Sequence, residues 1–376
     1  MDQTIPIENN VATVSRFDDV QEVLARDDVF FVPYGDKMVG ITGGQNFFLG
    51  MQNSPLYLRD VSNMRIVVSR DDIPSKVVPF VADLSNKIVS DSGGRLDIVK
   101  QLTTVVPTRL VGDYFGTPGR DENELIQWAT QLFQYLFFPG NTPEFDQAAL
   151  STAAEARQWL DQTIAERKAN TAVKDDVLGR CLNLQRAGQP GFSDLEIRNN
   201  LIGLIIGAIP TTSKVTTQAL DYLLDHPDQL AGAQDAARSN NDDLLVQYIW
   251  EAMRFNPIGP AILRYCSADY TVAKGTPRAT LIPKGTVVVA GIQSAMFDAS
   301  QIDNPTEFRV DRPDYHYMHF GYGLHKCFGQ YINRVQIPGI AKSLLTRKNL
   351  RRADGAAGQV QMAGLFPASL TLVFDL

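Results

Sequence analysis

Cysteines and long apolar runs are scarce in this chain of 376 residues. The three cysteines, Cys181, Cys266 and Cys327, are too few and too scattered for a disulfide framework, and their spacing matches no zinc motif. A reducing compartment fits this pattern. No run approaches the roughly 18 consecutive apolar residues that a membrane span requires, and the N-terminus shows no basic region followed by an apolar one. We therefore expect a cytoplasmic protein without a membrane span.

Positive charge is also in short supply. The chain has 35 Lys and Arg against 42 Asp and Glu, which gives a formal charge of −7, so no nucleic-acid partner is expected. No internal repeat or low-complexity segment is present. With 44% hydrophobic residues, a chain of this length can bury a substantial core. We interpret residues 1–376 as one domain.

The pattern of apolar residues predicts mainly helices. Helical spacing runs from residue 76 to about residue 170, with breaks at 116–119 and 139–141. A capping box at Ser193-Asp-Leu-Glu precedes residues 201–224, which are apolar enough to cross the interior of a domain. A turn that leads into a buried strand is predicted at residues 281–290, and a terminal strand at residues 369–374. The predicted fold class is α+β, with helices in the majority.

One cysteine stands in a glycine-rich stretch from Phe320 to Gly329. A thiolate carries a full negative charge and needs backbone N–H donors in an apolar surround. Gly321, Gly323 and Gly329 would permit positive φ angles and a close approach of the backbone to the sulfur. The arrangement suits Cys327 as a thiolate bound to haem iron, while a buried cysteine in an ordinary loop is the alternative.

The same stretch resembles the haem-ligand signature of the cytochrome P450 family, Phe-x-x-Gly-x-x-x-Cys-x-Gly. Phe320, Gly323, Cys327 and Gly329 occupy its four fixed positions. The resemblance implies a mainly helical P450-like fold, with a long central helix over haem and small β-sheets. It also implies haem b as cofactor, Cys327 as its iron ligand and Phe320 over the sulfur side of the ring. The chain begins later than is usual for the family, so part of the opening segment is expected to be missing.

A second resemblance lies in Glu251-Ala-Met-Arg254. By itself, a Glu and an Arg three residues apart are typical of an exposed helical pair. The spacing also matches the Glu-x-x-Arg pair of the same family, and an Asp-Arg-Pro step containing Arg312 follows it. The resemblance implies that Glu251, Arg254 and Arg312 form a buried network that braces the haem-binding loop, where loss of one partner would strand another charge.

Further resemblances concern the haem propionates. Arg264 stands where the family places an arginine against a propionate, and His325 or Lys326 could meet one as well. Upstream, Arg65 matches the arginine of a family His-x-x-x-Arg pattern, but Val61 takes the place of the histidine. One propionate contact is therefore expected to be lost. Solvated charges are the alternative for Arg264 and Arg65.

The central helix departs from the family at Gly207-Ala-Ile-Pro-Thr-Thr. Pro210 aligns with the family's acidic residue, and Thr211 aligns with its oxygen-handling threonine. Because proline removes an N–H and clashes with the preceding turn, we expect Pro210 to open the helix near the haem and to free the carbonyl of Ile206 for water. In the alternative, Pro210 merely kinks the helix and has no chemical role.

These features predict a monooxygenase that inserts oxygen from O₂ into a largely apolar small molecule, with Thr211 and Pro210 at the reacting site. The missing acid leaves a peroxygenase or hydroperoxide isomerase as an alternative, and a non-catalytic haem sensor as a third. A ferredoxin- or flavodoxin-type electron donor would dock on basic residues that could equally be a solvated face: Lys326, Arg334, Lys342, Arg347 and Lys348. The expected substrate contacts, each of which could instead be ordinary core, are Leu204, Ala208, Ile262 and Phe366.

Overall fold

The computed structural model describes residues 4–170 and 174–376. Residues 1–3 and 171–173 of the predicted 1–376 domain lie outside the described residues. The α-helices are α1 Phe17–Ala25, α2 Gly35–Thr42, α3 Pro55–Val67, α4 Val78–Asp91, α5 Val105–Leu110, α6 Glu122–Phe137, α7 Pro143–Ala169, α8 Val177–Arg186, α9 Asp194–Leu224, α10 Pro227–Arg238, α11 Asp242–Phe255, α12 Ile292–Ala295 and α13 Gln330–Leu345. The short π and 3₁₀ turns are Phe48–Gly50, Ile73–Val77, Val99–Thr103, Val111–Phe115, Asp314–His316 and Gly355–Gly358.

The strands are short and form four small sheets within the described residues. They are β1 Ile7–Glu8, β2 Val11–Val14, β3 Phe30–Phe31, β4 Arg95–Asp97, β5 Ile262–Cys266, β6 Tyr270–Val272, β7 Thr280–Ile282, β8 Val287–Ala290, β9 Arg351–Arg352, β10 Gln361–Ala363, β11 Phe366–Ser369 and β12 Thr371–Val373. A five-stranded sheet has the order β1-β2-β8-β5-β3, in which only the β2–β8 pair is parallel. The other sheets are β4-β12-β9, β6-β7 and β10-β11.

The hydrophobic core falls into two clusters. The larger cluster packs between the helices around α9, and the smaller one lies between the five-stranded sheet, α1 and α12. The prediction of an α+β fold with helices in the majority is confirmed. The predicted breaks at 116–119 and 139–141 separate helices, and the two predicted strands correspond to β8 and β12. β4 was not predicted, because it has three residues and its partner β12 lies far along the chain.

The central helix α9 begins as the sequence indicates. The Ser193 side chain accepts a hydrogen bond from the Glu196 N–H, and the Glu196 side chain accepts one from the Ser193 N–H. This capping box satisfies two N–H groups that the first turn would otherwise leave unpaired. The helix then runs 31 residues through the molecule.

Pro210 does not open α9, so that prediction is wrong. The helix continues without interruption from Asp194 to Leu224. A proline inside a helix costs about 3 kcal/mol. Here α6, α7, α11 and α13 all pack against α9, and the apolar surface buried by these neighbours outweighs that local cost.

In residues 4–170 and 174–376, no helix combines sufficient length with sufficient apolar character to cross a membrane.

Candidate functional site

The loop that carries Cys327 is folded by glycine and by one backbone hydrogen bond. The Cys327 N–H donates to the Phe320 carbonyl at 2.8 Å, which closes the loop in front of α13. Gly321 and Gly323 both have a φ of +72°, a conformation that side chains with a Cβ rarely adopt. A Cβ on Gly323 would also overlap the carbonyl oxygen of Leu24, so this position requires glycine on both counts.

Gly329 does not have the positive φ angle that the sequence analysis expected. Its φ is −79°, and it is the N-cap residue of α13. Burial raises the pKa of the Cys327 thiol, while a hydrogen bond from the Gly329 N–H and the charge of Lys326 lower it. The sulfur therefore lies at the start of a helix, where N–H groups and the helix dipole favour negative charge. A bound cation at the sulfur would complete the stabilisation of a thiolate.

Open space lies beside the middle of α9. Residues 201–206 of this helix are buried, yet Gly207 is exposed and a Cβ placed on it would meet no atom within 4 Å. Thr212 donates to Asn333 at 3.1 Å and so ties α9 to α13, the helix that follows the cysteine. Cys327 itself is partly accessible, although it lies deep among surrounding atoms. Both Cys327 and the middle of α9 are thus left partly uncovered, as a flat prosthetic group bound between them would require.

Two orphaned polar side chains indicate what that group carries. Arg264 on β5 is 3% exposed, and its one hydrogen bond among the described residues goes to the carbonyl of Leu263. The buried Nε2 of His325 has no partner in the described part of the chain, and burial lowers the pKa of this histidine to about 4. A buried guanidinium without a carboxylate is costly, and haem propionates would supply the missing acceptors. The residues present therefore fit haem.

The other predicted propionate contact, Arg65, is exposed and makes no hydrogen bond or ion pair within the described part of the chain. Its α3 neighbour Tyr57 was missed by the sequence analysis. The Tyr57 hydroxyl donates to the carbonyl of Leu324 at 2.8 Å, and its ring packs edge-on against His325 at 5.3 Å. Tyr57 thereby connects α3 to the cysteine loop. No local pattern marks it, because its partners lie far along the chain.

The predicted charge network is buried, and the structure brings its three members together. Glu251 and Arg254 are both 0% exposed and pair at 2.8 Å. Arg312 places its Nε 3.1 Å from Glu251 Oε1, an ion pair without the alignment of a hydrogen bond. The carboxylate also accepts from the Tyr317 hydroxyl at 2.8 Å and from the Arg309 N–H at 3.2 Å. Tyr317 and Arg309 were not predicted.

The two arginines of this network also hold the chain that leads to the cysteine loop. Arg254 donates to the carbonyls of Met296, Pro305 and Glu307. Arg312 donates to the carbonyls of Asp303, Asn304 and Glu307. These bonds fix irregular backbone that has no regular partner of its own.

α11 reaches the cysteine loop directly through Trp250. His319 Nε2 donates to the Trp250 carbonyl at 2.9 Å, and the Trp250 ring packs edge-on against Phe320 at 5.7 Å. This hydrogen bond places the proton on Nε2 and leaves Nδ1 as a buried lone pair without a donor. Burial lowers the pKa of His319 to about 3, so the ring is neutral in the folded protein.

On α9, the Thr211 hydroxyl donates to the Gly207 carbonyl, while Pro210 is buried and Ala208 is partly exposed. Of the other residues expected to contact substrate, Leu204 and Phe366 are each 8% exposed. Phe366 packs edge-on against Phe133 of α6 at 5.6 Å. The side chain of Ile262 lies beside Gly321, where a Cβ on that glycine would come within 3.3 Å of it.

The predicted basic face is partly neutralised. Arg334 pairs with Asp314 at 2.8 Å and Lys342 pairs with Asp242 at 2.6 Å. Within the described ranges, Lys326 and Lys348 form no ion pair.

Comparison with known proteins agrees with this geometry. Residues 6–351 match the family model described as Cytochrome P450. The chain is 28% identical to a Steroid C26-monooxygenase of Mycolicibacterium smegmatis over 75% of this chain and 67% of that protein. It is 23% identical to Pulcherriminic acid synthase of Bacillus subtilis over 96% of this chain and 89% of that protein.

Solved structures show the same fold. CalO2 superposes with a TM-score of 0.81 at 22% identity, covering 99% of this chain and 92% of its own. P450BioI, in a structure with an acyl-carrier protein that bears hexadec-9Z-enoic acid, gives a TM-score of 0.82 at 20% identity, covering 96% of this chain and 92% of its own.

Replacement of Glu251 by Gln or Ala should destabilise the protein by roughly 3–5 kcal/mol, because two buried guanidinium groups would lose their only shared carboxylate. The measurements are the free energy of unfolding in urea and the haem content per chain. Asp311→Asn is the matched control, since Asp311 pairs with Arg309 near the same segment but its side chain is 66% exposed. Its effect should stay below about 1 kcal/mol. Wild-type stability and haem content in Glu251→Ala would contradict the bracing role.

His319 should make stability depend on pH. The pKa of His319 falls from an ordinary value of 6.5 to about 3 on folding. Between these two pH values the histidine is largely protonated in the unfolded chain and largely neutral in the folded chain. Stability should therefore decrease as the pH falls from 6.5 towards 4, by at most about 1.4 kcal/mol per pH unit from this group. His319→Gln keeps a donor for Trp250 and should show a shallower decrease in urea unfolding between pH 7 and 5. Parallel curves for the two proteins would rule out this contribution.

Proposed function

The chain belongs to the cytochrome P450 family of haem-dependent monooxygenases, and from this premise we propose that Cys327 binds the iron of haem b and that one oxygen atom of O₂ enters a largely apolar small molecule. The observation that carries the proposal is the geometry around Cys327. Its sulfur lies at the start of α13, and Thr212 joins that helix to α9, where Gly207 borders unfilled space.

The chain's own residues would hold the group as follows. Cys327 would supply the sulfur ligand, with the Gly329 N–H as its hydrogen-bond donor. Phe320, which packs against Trp250, would shield that sulfur. Arg264 and His325 would supply donors to the propionates, since among the described residues Arg264 has no carboxylate partner and His325 Nε2 has no hydrogen-bond partner. The exposed Arg65 would reach a propionate from α3.

A thiolate-bound haem supplies, when present, cleavage of an O–O bond and transfer of one oxygen atom. The overall reaction takes one substrate C–H bond, one O₂, two electrons and two protons, and gives one hydroxylated product and one water. The electrons require a donor, for which we propose a ferredoxin- or flavodoxin-type protein. Lys326 and Lys348, which have no acidic partner within the described residues, support docking of an acidic carrier on the cysteine side.

Thr211 is the residue placed to handle protons. Its hydroxyl donates to the Gly207 carbonyl, which leaves the oxygen lone pairs free to accept from a water molecule in the open space. The Pro210 ring carries no proton, and its missing N–H leaves the Ile206 carbonyl without its usual helical donor. Water held by that carbonyl and by Thr211 would deliver protons from solvent.

The substrate would lie between α9 and the β10–β11 hairpin. Leu204, Ala208, Ile262 and Phe366 form the proposed apolar walls. An apolar body suits such walls, since each buried CH₂ contributes about 0.8 kcal/mol. A relative that bears the name Steroid C26-monooxygenase is consistent with an apolar substrate.

A second candidate function rests on Pro210. A peroxygenase or hydroperoxide isomerase starts from a peroxide that already carries the electrons and protons, so it needs no acid at this position. In the peroxygenase case, one substrate C–H bond and one H₂O₂ give one hydroxylated product and one water.

Cys327→Ala should abolish the thiolate-type absorption band of the reduced, CO-bound protein. Cys181→Ala and Cys266→Ala are the controls, because both cysteines are 0% exposed in the core, away from the loop. They should retain the band even where stability falls. A thiolate-type band in Cys327→Ala would overturn the ligand assignment.

The oxidant can be decided by comparing O₂ plus reductant with hydrogen peroxide in the wild type, Pro210→Asp and Pro210→Ala. Pro210→Ala restores the backbone N–H without an acid, so it separates the effect of helix repair from that of a proton carrier. For a monooxygenase, Pro210→Asp should raise product formed per electron consumed, and Pro210→Ala should leave this ratio near the wild-type value. A wild type that is inert with O₂ and every competent reductant, yet active with peroxide, would replace the monooxygenase reading with the second candidate.

A further inference from the structure

Lys214 is the only charged side chain between residues 201 and 220 of α9. It stands one turn beyond Thr211, and the spacing of Gly207, Thr211 and Lys214 places all three on one face of the helix. Their neighbours Ile209, Pro210, Thr212, Ser213, Val215, Thr216 and Thr217 are buried, whereas these three are at least partly accessible. Lys214 therefore lies on the side of the helix that borders the open space.

The ammonium group of Lys214 has no anionic partner in the part of the chain that the structure describes. No carboxylate there lies within ion-pair distance, and no hydrogen bond from its Nζ is present. Its recorded contact is the ring of Phe366, with Nζ 5.8 Å from the ring centroid. Phe366 is itself buried against Phe133. The cation thus stands at an apolar wall of the proposed substrate pocket.

Among the described residues, Lys214 and the buried Arg264 both lack a carboxylate partner, whereas Arg254 and Arg352 each have one. Arg254 is neutralised by Glu251 at 2.8 Å, and Arg352 pairs with Asp221 at 2.7 Å. Burial lowers the pKa of Lys214, and no neighbouring charge opposes that shift. Burying a cation without a counter-charge is unfavourable. An anion bound beside Lys214 would therefore offset the desolvation energy of its ammonium group.

Lys214 is also separate from the proposed propionate contacts. Arg264 lies on β5 and His325 lies in the cysteine loop, whereas Lys214 lies on α9 beside Phe366 of β11. The haem carboxylates would therefore be bound by Arg264 and His325 at a different edge of the space. Lys214 would then remain available to bind a different anion.

We propose that Lys214 binds the carboxylate of the substrate, which makes this substrate an amphipathic carboxylic acid with an otherwise apolar body. The inference rests on the proposed function and narrows its substrate class. Apolar walls with one convergent charged group are typical of a site that orients a ligand by a single polar end. Pairing with Lys214 would anchor that end beside Phe366 and present the apolar chain along α9 towards Thr211. An ester or thioester of the same acid lacks the charge and would gain nothing from the lysine.

The test is binding of straight-chain alkanoic acids, from octanoate to hexadecanoate, and of their methyl esters to the haem-loaded protein. Calorimetry and the haem absorption shift would report dissociation constants independently of turnover. Lys214→Gln should weaken binding of the acids by about 10- to 100-fold, the range expected for loss of a charge-assisted hydrogen bond. It should change ester binding by less than about twofold, because no charge is involved. Lys214→Arg should retain the preference for acids over esters.

Lys87→Gln is the matched control, because it removes a lysine whose side chain is 72% exposed on α4. Its acid and ester affinities should equal those of the wild type. Equal affinity of the wild type for acids and esters, or unchanged acid binding in Lys214→Gln, would overturn the inference. If a Lys214 variant fails to fold, the affinities of the wild type for acid and for ester still test whether the site prefers a carboxylate.

The two proposals fail in different ways. If the wild type shows the thiolate-type band and oxidises neutral apolar compounds without preferring acids, the Lys214 inference fails and the proposed function stands. If that band is absent, the proposed function fails whatever binds at Lys214.

Discussion

The buried carboxylate of Glu251 is the interaction on which the site depends. It receives Arg254 and Arg312, and it also accepts from Tyr317 and from the Arg309 backbone. Its two arginines donate to five carbonyls between residues 296 and 307. One carboxylate therefore converts a long irregular segment into a rigid base for the cysteine loop. Its removal would leave two buried cations, which is why the network stabilises the loop only as a complete unit.

The interior space above this base is bordered by groups that are incomplete without a ligand. Arg264, His325 and Lys214 are polar and at least partly buried, and in the described residues none of them meets a carboxylate. Native proteins rarely leave such groups unpaired. Two different anions would satisfy them, because Arg264 and His325 lie together while Lys214 lies against Phe366. The unpaired charges thus mark one place for a cofactor carboxylate and another for a substrate carboxylate.

The central helix shows how tertiary packing overrides a local signal. Pro210 favours a break, and the sequence analysis expected one. Helices pack on several sides of α9, and the helix continues through the proline. The chemical departure remains, since no acidic side chain stands beside Thr211 on this helix turn. The route of protons is therefore left to water, to the Thr211 hydroxyl and to the backbone carbonyls near Gly207.

Sequence alone determined the features that depend on neighbours within a few residues. The cysteine loop, the Glu-x-x-Arg spacing, the capping box of α9 and the helical majority are local patterns, and a family resemblance added roles for distant arginines. Tertiary structure decided what depends on contacts between distant segments. Gly323 is required because Leu24 lies against it, Tyr57 holds Leu324, and Lys214 is left without a partner only because no acidic segment of the described chain folds towards it. A sequence states which side chains are charged, whereas packing decides which charges find a counter-charge and which are left for a ligand.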